Sequence, residues 1–179
     1  NGNEQYSIKS KEINLNTVYI IDDLFSILEK QLMSFWFASS QYRLNDIDKE
    51  DSQYSRHWVN SILDIDSNVS YFPIFKKINE FINKLHPHLD LQLFEIKAYL
   101  ATYGDLATYH QDSELIETLT VVTYFHNKWE LDWNGELIIC DESWEPEIAI
   151  SPKPGRIVAF NGKLPHRAGT PSKISFDGR

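Results

Sequence analysis

The chain has 179 residues, 42% of them hydrophobic, which suits one domain with a full core, and no shift in composition suggests a second. A formal net charge of -9 disfavours nucleic acid or an anionic membrane surface as the main partner, because both demand concentrated Lys and Arg. A single cysteine, Cys140, excludes an internal disulfide framework and a thiolate-rich zinc site, and no apolar run approaches the roughly 20 residues of a membrane-spanning helix.

The start, "NGNEQYSIKSKE", is polar and has no signal-peptide core, so the expectation is a soluble cytoplasmic protein with one domain over 1–179. A short strand is predicted at "TVYII". After it, Asp22 and Asp23 are placed to cap a helix whose apolar residues Leu24, Ile27, Leu28, Leu32, Phe35 and Trp36 recur at three and four. That face should pack on a sheet or another helix. The polar interval "SSQYRLNDIDKEDSQYS", 39–55, reads as a loop or weak strand, and is expected to be mobile until ligand closes it as a lid.

From Pro73, residues Ile74, Phe75, Ile78, Phe81, Ile82 and Leu85 repeat at helical spacing with Lys76, Lys77, Glu80 and Lys84 between them, an amphipathic helix. Beyond it the period falls to two or to short apolar runs: "LQLFEIKAYLATY", "TLTVVTYF", "GELIIC", "EIAI" and "GRIVAF". These strands have no helices between them, which excludes a doubly wound sheet. The fold class is therefore α+β, with helices gathered in the first half and a sandwich or jelly-roll barrel in the second.

Two His-x-Asp pairs occur, where six histidines and 26 acids in 179 residues produce about one by chance. His88 and Asp90 fall in a loop after the amphipathic helix, beside Pro87, where nothing fixes one side chain against the other. His110 and Asp112 end a strand, where residues two apart project from one face and can reach a single ion. A third ligand is sought on another strand across a barrel mouth, and His166 in "GKLPHRAG", 54 residues after Asp112, stands at the start of the strand following "GRIVAF". Two imidazoles and one carboxylate leave three positions open, an arrangement suited to non-haem Fe(II), whereas zinc is usually closed at four ligands. Arg167 adjoins His166 and Arg179 lies thirteen residues on; either guanidinium is able to grip a carboxylate in bidentate fashion.

With these residues in place, the sequence resembles the Fe(II)- and 2-oxoglutarate-dependent oxygenases, in their prolyl-4-hydroxylase-like branch, from about Val18 to Arg179. "VYIIDDLFS" is similar to the opening strand and helix start of that branch. "AYLATYGDLATYHQDSE" is similar to the strand of its first histidine and aspartate, "VVTYFHNKWELDWNGELIICD" to its next hairpin, and "PKPGRIVAFNGKLPHRAGTPSK" to its distal-histidine segment. The resemblance implies a double-stranded β-helix (a jelly-roll, cupin-like core) with supporting N-terminal helices, in which His110, Asp112 and His166 hold iron. It implies that Arg179 pairs with the C5 carboxylate of 2-oxoglutarate, that Tyr124 contacts this cosubstrate, and that Tyr99 or Tyr103 supplies a further hydroxyl. Spacing does not choose between those two, since Tyr99, Ala101 and Tyr103 share a face. It also implies O₂ as cosubstrate, ascorbate as an auxiliary reductant, and a final sheet strand beyond Arg179. Ala107 departs from the branch, which often carries an aromatic residue there.

The activity so implied is hydroxylation of an unactivated C-H bond on a peptidyl residue or a small molecule, with decarboxylation of 2-oxoglutarate to succinate. The alternatives are a non-catalytic jelly-roll sensor, and a cupin-like metalloenzyme that would need a fourth protein ligand. Trp129, Trp133 and Trp144 read as a cover for the barrel core or as a substrate lip, and Trp36 and Trp58 as helix faces. Glu114, Glu117, Asp141 and the run "CDESWEPE" read as solvated acids, and Cys140 as a buried apolar residue.

Overall fold

A computed structural model of the chain describes residues 6–47, 56–63, 73–105, 107–115 and 117–175. They form ten strands and two helices: β1 (Ser7–Ile13), β2 (Asn16–Asp22), α1 (Ile27–Ser39), β3 (Arg43–Ile47), β4 (Arg56–Leu63), α2 (Pro73–Leu85), β5 (Ile96–Leu100), β6 (Leu119–Thr123), β7 (Leu137–Cys140), β8 (Pro146–Ile150), β9 (Ile157–Asn161) and β10 (His166–Ala168). The strands make three antiparallel sheets, ordered β1-β2-β9-β6, β10-β7-β8 and β3-β4-β5.

Strand β9 organises the packing because "IVAF" is apolar at every position and buried on both faces. Val158 and Phe160 point inward to meet Ile13, Val18, Tyr124, Leu137, Ile139 and Ile150, the layer between the four-stranded sheet and β10-β7-β8. Ile157 points the other way, to Ile21, Leu24, Phe25, Met33, Ile74, Phe75, Phe81 and Phe125, which seat the two helices on the sheet's outer face. Cys140 is fully buried at the end of β7, and burial pushes its thiol pKa up, as a small apolar residue in a core requires.

Helix α2 buries Ile74, Phe75, Phe81 and Ile82, the stripe its periodicity marks. Helix α1 differs from expectation in two respects. Its N-cap is Ser26, in a reciprocal capping box with Glu29, and Glu29 also pairs with Lys77 of α2 at 3.1 Å. Asp22 is no cap: it is buried and accepts from Nε and Nη2 of Arg156, each at 2.9 Å. Because the helix begins only at Ile27, Leu24 and Phe25 enter the core from the preceding turn and the helical phase shifts. Met33 and Ser34 face inward, while Ile27, Leu28, Leu32 and Phe35 are exposed.

The first 63 residues also hold four strands, so helices do not dominate that half. Strand β1, "SIKSKEI", shows no alternation because it is an edge strand exposed along nearly its whole length. Trp58 lies on β4, paired with Leu100 of β5, and not on a helix. Of the polar interval, 43–47 is a strand, one of its two readings, and 48–55 lies outside the described residues together with the lid expected there.

Candidate metal centre

The two histidines are set face to face by backbone. His110 and His166 form an isolated antiparallel bridge, exchanging both N–H···O bonds at 3.0 and 2.9 Å, which brings their rings to 4.6 Å between centroids. Asp112 is anchored on the same strip of chain: its N–H donates to the Gly162 carbonyl at 2.9 Å, beside that of Ser113 at 3.3 Å. Thus the turn that ends β9 and the bridge that starts β10 together hold the three side chains, although they come from segments about fifty residues apart in sequence.

Their ligating atoms lie within 4.8 Å of one another, a group able to hold a metal ion. Asp112 Oδ1 is 3.5 Å from His110 Nε2, and Oδ2 is 3.5 Å from His166 Nε2. Each imidazole is oriented by the carbonyl two residues before it: His110 Nδ1 meets Thr108 O at 2.9 Å, and His166 Nδ1 meets Leu164 O at 2.9 Å. A carbonyl only accepts, so in each neutral ring Nδ1 carries the proton and Nε2 keeps its lone pair for the shared centre. Phe160 packs edge-on against His166 at 4.8 Å, and that histidine is buried.

Burial works against charge on Asp112, but the protonated forms of His110 and His166, which face it, and the Thr120 hydroxyl outweigh it and hold the carboxyl below its ordinary pKa. With neutral rings, whose Nε2 atoms cannot donate, the Thr120 hydroxyl is the remaining donor. The carboxylate is therefore ionised and ready to serve as a hard anionic donor. Thr120 donates from the inner face of β6 to Asp112 Oδ2, a partner that sequence reasoning missed. The signal was present in the alternation Thr120, Val122, Tyr124, which places the hydroxyl on the same face as the core tyrosine.

The remaining candidates divide by environment. Tyr124 is buried in the layer between the sheets, edge-on to His126 at 6.0 Å. Tyr99 on β5 is half exposed and meets the His57 ring, while Tyr103 occupies the turn after β5 and is more exposed still. Arg179 lies outside the described residues. Arg167, on the strand of His166, stacks over the Tyr109 ring at 4.8 Å and so clasps the two bridge-forming segments together. His88 and Asp90 stand exposed in a turn, and among the described residues no third ligand joins them.

Trp133 belongs to the short 3-10 turn at Leu131–Trp133, and Trp129 packs against it edge to face at 5.5 Å while its Nε1 donates to Asn134 O at 2.9 Å. Trp144 is partly exposed in a turn where its φ is +67°. No helix among the described residues is long and apolar enough to cross a membrane.

Comparison with known proteins supplies two findings. A model of the 2OG-Fe(II) oxygenase superfamily matches residues 78–177. The fold is similar to the crystal structure of a prolyl-4-hydroxylase from Pseudomonas putida, with a TM-score of 0.62 at 15% identity, covering 91% of this chain and 84% of that one. No curated protein sequence matches the chain.

Proposed function

The chain belongs to the 2OG-Fe(II) oxygenase superfamily, and from that premise we propose that it hydroxylates an unactivated C-H bond of a peptidyl residue or a small molecule. In balanced form, substrate, 2-oxoglutarate and O₂ give hydroxylated substrate, succinate and CO₂. The observation that carries this reading is the convergence of His110, Asp112 and His166, with both Nδ1 atoms occupied by carbonyls and both Nε2 atoms left to a common centre.

In this reading those three residues would hold Fe(II), which would supply the activation of O₂, the oxidant, with 2-oxoglutarate as co-reductant. The protein's own contribution is placement. Among the described residues no fourth His, Cys, Asp or Glu joins the cluster, which favours a centre with open positions over a closed four-ligand site and disfavours the cupin-like alternative. The sheets β1-β2-β9-β6 and β10-β7-β8, packed on one apolar layer, are read as the two walls of a double-stranded β-helix with the centre at its mouth.

Strand β6 then serves the site twice. Thr120 on its inner face lies beside the Asp112 carboxylate, and Tyr124, the residue that follows β6, sits in the core four residues further along, about 13 Å away at the rise of a strand. Tyr124 is proposed to meet 2-oxoglutarate from below, and Arg179 to bind the C5 carboxylate. Tyr99 or Tyr103 is proposed to supply a further hydroxyl to the cosubstrate. The test is succinate formation in the presence of Fe(II), 2-oxoglutarate and ascorbate, coupled to mass spectrometry of peptide and metabolite pools for a gain of one oxygen. Succinate that requires Fe(II) and rises with one pool identifies the substrate class; no succinate with any pool overturns the proposal.

A further inference from the structure

We infer that Thr120 is a positioning residue that confines Asp112 to binding metal through one carboxylate oxygen. This rests on the reading of His110, Asp112 and His166 as the iron ligands. A carboxylate is able to ligate through one oxygen or both. Binding through both would consume one of the three positions that a two-point cosubstrate and O₂ require together.

The surroundings of Asp112 are arranged around that choice. Its backbone is fixed by the bond to Gly162 O, but its side chain is 37% exposed and the carboxylate can still turn about its Cβ–Cγ bond. The Thr120 hydroxyl, projecting inward from β6 opposite Phe160, donates to Oδ2 and stops that rotation. An oxygen that already accepts a hydrogen bond is the poorer metal donor, which leaves Oδ1 as the ligand atom, on the side of His110. A β-branched side chain in a strand is stiff at χ1, so threonine aims the hydroxyl better than serine would.

Room for that hydroxyl is itself provided. A Cβ on Gly162 would stand 3.2 Å from Thr120 Oγ1 and 3.3 Å from Thr118 Cγ2, so a larger residue there would crowd both threonine side chains, which would have to shift by a few tenths of an ångström. The same glycine accepts from Asp112 and Ser113 and donates to Thr118 O at 2.8 Å. Neighbouring Thr118 instead donates to Ser113 Oγ at 3.0 Å and has no bond to a proposed ligand, which makes it a matched control.

The experiment is calorimetric titration of the intact protein with Co(II), followed by the visible Co(II) spectrum before and after 2-oxoglutarate. Thr120→Val keeps the shape and removes the donor; it should weaken Co(II) binding about tenfold or more and blunt the spectral response to 2-oxoglutarate, while Thr120→Ser stays within about threefold of wild type. Thr118→Val should match wild type in both readouts. Melting curves establish that each variant is folded, and Thr120→Ala gives the same contrast should the valine variant not fold. Wild-type Co(II) affinity and spectrum in folded Thr120→Val or Thr120→Ala overturn the inference about Thr120 alone. Absence of Co(II) binding by the wild type overturns both this inference and the site on which it rests.

Discussion

His110 with Asp112 and His88 with Asp90 share the same spacing, yet one pair converges on a buried partner and the other stands in solvent. The difference lies in the backbone around each. His110 exchanges two hydrogen bonds with His166, and Asp112 hangs from Gly162; His88 and Asp90 straddle an exposed turn after α2. Metal-binding capacity therefore resides in register between strands and not in a short motif. The pair is necessary to the site, but its neighbours define it.

The sharpest way to break this contrast is to remove a ligand. Asp112→Ala should abolish both metal binding by calorimetry and succinate formation, since it deletes the anionic donor between two imidazoles; retention of either would mean that the wrong pair has been chosen. Next in size is the wall behind the site. Phe160 is fully buried and packs on His166, so Phe160→Ala should cost about 3–5 kcal/mol in urea unfolding.

A comparable loss is expected where β2 and β9 are tied together. Asp22→Asn leaves Arg156 without its carboxylate partner, and should cost about 3 kcal/mol at pH 7. Hydrogen bonds from Arg156, against the opposing effect of burial, hold the Asp22 carboxyl below its ordinary value. A depressed folded-state pKa contributes stability fully above the ordinary carboxylate value near 3.9 and loses it as pH falls through the lower folded value. The gap between wild type and Asp22→Asn should thus be constant from pH 5 to 7 and shrink below about pH 4; a gap that widens in acid would contradict the assignment.

The smallest effects belong to the exposed pair. His88→Ala should leave metal affinity and activity unchanged, and Leu89→Ala, in the same turn, should alter stability by less than about 0.5 kcal/mol. A measurable loss of metal in His88→Ala would erase the distinction between the two pairs.

Much of this was legible in the sequence because the period of the chain reports burial. The stripe of α2 and the unbroken apolar run of β9 each specify one environment, whereas His110 and Asp112, read as a strand end, lie in an irregular segment ten residues past β5, where His110 makes only an isolated bridge with His166. Where a residue's role depends on a partner distant in sequence, the pattern fails. Asp22 reads locally as a helix cap, but Arg156 claims it from 134 residues away. Leu24 reads as the first member of a helical stripe, yet it packs from the turn before the helix, and the stripe after it faces solvent. Thr120 shows nothing unusual in "TLTVVTYF" until Asp112 is found across from it.

The most direct test of the centre formed by His110, Asp112 and His166 is an anaerobic titration of the protein with Fe(II) and then 2-oxoglutarate, read in the visible range. A weak charge-transfer band should appear, saturating at one iron and one 2-oxoglutarate per chain, persist in His88→Ala and vanish in Asp112→Ala. No band in the wild type, with no heat of metal binding, would contradict it.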